Sequence, residues 1–91
     1  MPHYYAVAER HDGETSWWIS FPGLDGVTSG TDDAGQIVAQ AQDALASTLM
    51  WGGALPTSIE DGATPPQDLS GYDNPLVVVI PFSPAAAKEA A

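Results

Sequence analysis

The chain has 91 residues, no cysteine, and twelve acidic residues against two basic ones, for a net charge of −10. A chain this short buries only about 60–65% of the surface its unfolded form exposes, so one domain with a small core is expected. The composition excludes disulfide frameworks and thiolate metal sites, and with Arg10 and Lys88 as the only fixed cations it opposes direct contact with nucleic acid, which requires cations to neutralise phosphates.

Residues 3–10, HYYAVAER, read as a strand, with Tyr5, Val7 and Glu9 on one face and Tyr4, Ala6, Ala8 and Arg10 on the other. His11-Asp12-Gly13-Glu14 carries the Asp-Gly signal of a hairpin connection. Residues 16–21, SWWISF, form a second strand, with Trp17, Ile19 and Phe21 facing a cover and Trp18 and Ser20 facing away. Pro22 to Gly26 read as a tight connection, and residues 27–30 as a short third strand.

Thr31 to Trp51 carries the strongest periodic signal. Ala34, Ile37, Val38, Ala41, Leu45, Thr48 and Leu49 recur at helical spacing and make one apolar stripe. Gln36, Gln40, Asp43 and Ser47 lie opposite. Thr31 or Asp32 can cap the first turn, and Gly52-Gly53 stops the last. Residues 52–75 then form a long acidic loop rich in Pro, Gly, Asp and Ser. Within it Ser58-Ile59-Glu60-Asp61 can start one helical turn, which Gly62 ends. LVVVIPF, 76–82, is a β-branched strand expected at the centre of the sheet. A short alanine-rich tail, 83–91, has little apolar surface to anchor it.

The expected fold is therefore α+β in the order β-β-β-α-β: one domain over residues 1–82, with a four-stranded sheet and one helix on one face. A right-handed crossover would place the last strand beside and parallel to the first. By this phase Tyr4 and Trp18 lie on the sheet face the helix leaves open, and a second copy of the chain is the expected cover, giving a homodimer or larger assembly.

Several motifs together resemble the HicB family, the antitoxins of HicA/HicB toxin–antitoxin pairs. They are the Tyr-containing opening strand HYYAVAE, the hairpin HDGE, the strand WWISFP, and Pro22-Gly23-Leu24-Asp25-Gly26 as a variant of the family's Pro-Asp-Leu-Pro-Gly turn. Thr28-Ser29-Gly30, the helix motif Ala41-Gln42-Asp43-Ala44-Leu45, the exit Gly53-Ala54-Leu55-Pro56-Thr57-Ser58 and the valine-rich strand follow in family order, so the resemblance spans residues 3–82. It implies a partial ribonuclease-H-like fold without catalysis, which occludes a small basic HicA-like RNA-cleaving toxin. Only nine residues follow Phe82, so this is either a single-domain member or a chain that ends before the C-terminal DNA-binding domain that many family members carry. Asp25, Glu60, Asp61, Asp68 and Asp73, in turn or loop positions, are the candidate toxin contacts. An alternative is an acidic decoy, phage-encoded for example, that inhibits another nucleic-acid-binding protein.

No pattern of an enzyme accompanies this. Glu9, Asp12, Glu14 and Asp25 are available carboxylates, but a two-metal nuclease needs them clustered, and only Glu9 falls within an expected strand. His3 and His11 lack metal-ligand spacing. Ser16, Ser20 and Ser29 sit in no nucleophile elbow, and no glycine-rich phosphate cradle is present. No catalytic residue, metal or cofactor is expected. The opening MPHYYAV lacks the charge and apolar run of a signal peptide, and LVVVI is too short to span a bilayer, so a cytoplasmic location is expected without membrane contact.

Overall fold

A computed structural model describes residues 2–55 and 57–83; within that span the side chains of 25–27 are not described. Four strands, β1 (His3–Glu9), β2 (Trp17–Phe21), β3 (Leu24–Thr31) and β4 (Leu76–Pro81), form one sheet in the order β3-β2-β1-β4. Among the described residues one α-helix, α1 (Ile37–Met50), follows a 3-10 turn at Ala34–Gln36. The alanine-rich tail and Pro56 lie outside the described residues, apart from Ser83.

The helix begins later than its apolar stripe predicts. Asp33, not Thr31 or Asp32, caps the opening turn, its carboxylate accepting from the Gly35 N–H at 2.8 Å. Thr31 remains in β3, where its hydroxyl accepts from the Asp33 N–H at 3.1 Å and shapes the exit from the strand. Ile37, Ala41 and Leu45 are buried, with Val38 and Leu49 packed against the same core. β3 is also longer than expected, because only Pro22-Gly23 forms the turn: Phe21 already pairs with Leu24, and Gly23 supplies the positive φ of 85°.

Strand register corrects the phase of β1. Ala8 pairs with Ile19 and Tyr4 with Ile80, so Tyr4, Ala6 and Ala8 share the helix face with Trp17, Ile19 and Phe21. Tyr4 is 5% exposed and meets Phe82 edge-on at 6.4 Å between ring centres. It is core, and the expectation that it forms part of an oligomer interface fails.

β4 departs from expectation in direction and position. It lies beside β1 but antiparallel to it, and it is an edge strand, with Leu76 and Val79 about half exposed. The physical reason is the loop that precedes it. A short crossover would deliver β4 parallel to β1, whereas this loop is long enough to carry the chain the whole length of the sheet and reverse its entry.

The loop's route also covers the β1 part of the face expected to stay open. Val7, on that face and outside the helix-side core, is fully buried. Tyr5, two residues away on the same face, lines a small hollow with Thr57, Ala63, Thr64 and Pro66. Glu9, the next on that face, accepts a hydrogen bond from the Asp73 N–H at 2.9 Å. The loop thus lies along β1 as a strap, while Trp18 and Val79 on either side of it stay about half exposed.

Candidate interaction surfaces

The acidic residues proposed as partner contacts turn out to be spread along the strap and largely tied within it. Ser58 is buried and caps the 3-10 turn Ile59–Asp61, its hydroxyl donating to Asp61 at 2.9 Å. Gly62 ends the turn at a φ of 100°. Glu60 and Asp61 lie near the Tyr4 hydroxyl, whose pKa is raised by burial first and then by these two charges. Asp68 accepts from both the hydroxyl and the N–H of Ser70, which together lower its pKa. Asp25 is placed by its backbone in β3, not in a turn, and its side chain lies outside the described residues.

Asp73 belongs to a clasp that fastens the end of the strap to the end of β1. The Arg10 N–H donates to the Asp73 carbonyl at 3.2 Å, and His11 Nδ1 donates to the Asp73 carboxylate. Asn74, held in the left-handed region at φ 46°, donates to the Arg10 carbonyl at 2.7 Å and to Asp12 at 3.0 Å. The hydrogen bond that His11 donates to Asp73 is the main cause of its raised pKa, with neighbouring carboxylates adding to it and desolvation opposing it. Glu9 and Asp12, two of the carboxylates considered for metal binding, are therefore used structurally. Among the described residues no group of three or more His, Asp or Glu side chains is arranged to hold a metal ion.

Among the described residues, the largest exposed aromatic side chains, Trp18 and Trp51, flank β3 and the end of α1. Trp18 sits on the strap-side face opposite Gly30, 51% exposed, whereas Trp17 faces the helix side beneath the Arg10 guanidinium at 5.1 Å from its ring. Between α1 and β3 runs a groove of about 500 Å³, lined by Thr28 and Ser29 from the strand and Asp43, Ala44, Ser47, Thr48 and Trp51 from the helix and its end. Trp51 is 89% exposed and the adjoining Met50 74%. The helical period alone puts Asp43 and Ser47 on the polar face opposite the apolar stripe. The spacing of Asp43, Ser47 and Trp51, one helical row, was the available signal.

No family model matches the chain, and no curated protein matches it. One solved structure is similar: a chain of the "HicA3 and HicB3 toxin-antitoxin complex", with a TM-score of 0.59 and 17% identity, over 89% of this chain and 98% of that one. These findings overturn the assignment made from the motifs. Coverage is nearly complete on both sides, so the matched chain is about as short as this one, and the likeness does not support the antitoxin assignment. Membership of the HicB antitoxins, the role of occluding a HicA-like ribonuclease, and a small basic toxin as the partner therefore do not stand. At this identity the likeness establishes the fold, an antiparallel four-stranded sheet with one helix.

Proposed function

We propose that this chain is a non-catalytic protein-binding subunit of a two-protein complex of the toxin–antitoxin kind. The observation that carries the reading is the likeness, over 89% of this chain, to a chain of such a complex. The length of the matched chain favours the toxin position within the pair. The charge supports a protein as partner, since a field of −10 repels phosphate. The exposed Trp18 and Trp51 support the same conclusion, because aromatic side chains anchor protein contacts. A partial ribonuclease-H-like origin of the sheet and helix belongs to this proposal; the β-β-β-α order supports it and the antiparallel β4 departs from it. So does action in the cytoplasm; no helix among the described residues is long and apolar enough to cross a membrane.

The test is inducible expression of the chain alone and together with the product of the adjacent gene, followed by affinity purification. Growth arrest by the chain alone, relieved on co-expression with formation of a defined complex, is the expected result. A complex without arrest would keep the binding role and remove the toxin position. Neither arrest nor a complex would overturn the reading.

A further inference from the structure

β3 is an edge strand of eight residues, and among the described residues no backbone hydrogen bond reaches it from outside the sheet. Unpaired edges are templates for an added strand. The two edges of this sheet are not equivalent. At the β4 edge, the Phe82 N–H donates to the Pro2 carbonyl at 3.0 Å and Gln42 Nε2 donates to the Pro81 carbonyl at 2.7 Å, so its end is already tied to the body. The β3 edge instead adjoins the α1/β3 groove.

From this arrangement the geometry points to β3 as the docking edge for an extended, lysine- or arginine-bearing segment of a partner protein, which adds as a fifth strand and sends alternate side chains into the α1/β3 groove. Strand addition supplies main-chain hydrogen bonds, and the period of two directs every second side chain to the helix side. There Asp43 offers a carboxylate, Ser29, Ser47 and Thr48 contribute hydroxyl groups, and Trp51 presents an exposed aromatic surface against which a cationic stem can pack. On the opposite side Gly30 adds no bulk beside Trp18, so the added strand's other side chains meet a second aromatic surface. The twelve acidic residues favour a cationic occupant and disfavour a second copy, because two chains of charge −10 repel each other.

The choice of a protein segment rests on the proposed binding role, but the test does not depend on growth arrest or on an adjacent gene. The probe is an acetylated, amidated eight-residue peptide alternating lysine and valine, compared with the same peptide carrying acetyl-lysine. Titration by calorimetry is combined with amide hydrogen exchange. The expected result is binding that weakens as salt is raised, with slowed exchange in 27–31. Asp43→Asn should lower affinity about two- to fivefold and Trp51→Ala about tenfold. Both side chains are exposed, and the variants' thermal unfolding checks that the fold is intact. Equal binding of the acetyl-lysine peptide, protection at 76–81 in place of 27–31, indifference to both substitutions, or no binding up to solubility would each overturn the proposal.

Discussion

The two faces of the sheet are covered by opposite means. On one, α1 lays Ile37, Ala41 and Leu45 over Tyr4, Ala6, Ala8, Ile19 and Ile80, an apolar contact between regular elements. On the other, an irregular strap covers Tyr5 and Val7 and is fastened by polar bonds at the clasp. The helix side gains from area removed from water and from close packing, whereas the strap must offset the entropy of ordering a Pro- and Gly-rich segment with fewer apolar contacts. Complete burial at two positions does not mean equal resistance to opening. Val7 and Leu45 are both fully buried, yet the element over Val7 should open locally at lower cost.

The largest effect is expected on the helix side. Leu45→Ala leaves a cavity between two regular layers and should destabilise by about 2–5 kcal/mol, read as a lower urea midpoint. Val7→Ala should cost less, about 1–2 kcal/mol, because fewer methyl groups are lost and the strap can settle into the space. Equal losses at the two sites would erase the distinction between the faces.

A smaller effect is expected at the clasp. Asn74→Ala removes two hydrogen bonds and puts alanine at a positive φ, costing about 1–2 kcal/mol, while Asn74→Gly relieves the backbone but still loses the bonds. Amide exchange in 57–73 should quicken in both variants while α1 is unchanged; faster exchange in α1 would show that the strap and helix open as one unit.

The smallest effect is a pH dependence confined to the strap. The folded pKa of His11 is raised, so its contribution is fully present below the unfolded value of about 6.5 and is lost as pH rises through the higher folded value. Strap exchange, corrected for its intrinsic dependence on pH, should therefore be slowest in mildly acidic solution and faster above neutrality. His11→Gln should flatten that profile. At Asp68 the sign is reversed: its lowered pKa gives a contribution present above the ordinary carboxylate range and lost as pH falls through the folded value.

These differences also explain what the sequence made legible. α1 was visible because Ile37, Ala41 and Leu45 repeat at a helical period, and the β1–β2 hairpin because Asp12-Gly13 separates two alternating runs. The strap carries no period, so its path had to be inferred from length and composition, which hold no direction. That one gap produced two misreadings: β4 as parallel and central, and the β1 part of the strap face as open. Tyr4 was misplaced for a different reason. Alternation tells which residues of β1 share a face, but only the pairings with Ile19 and Ile80 tell which face meets the helix. The groove was obscured because its polar residues are the ordinary residues of a solvated helix face. Asp43, Ser47 and Trp51 gain their meaning only from the free strand alongside.

The bond between the Phe82 N–H and the Pro2 carbonyl, 3.0 Å long, has a consequence for engineering. It brings positions 2 and 82 side by side, so a few flexible residues can join them without spanning the molecule. New ends can then be opened at the exposed turn around Gly13, where the backbone is already at φ 82° and nothing packs against the glycine. Such a circular permutant would retain all four strands, but β4 and β1 would become a covalent hairpin. The strap would then be anchored to a connected strand pair at one end and to α1 at the other, with the neighbouring ladder no longer dependent on long-range closure.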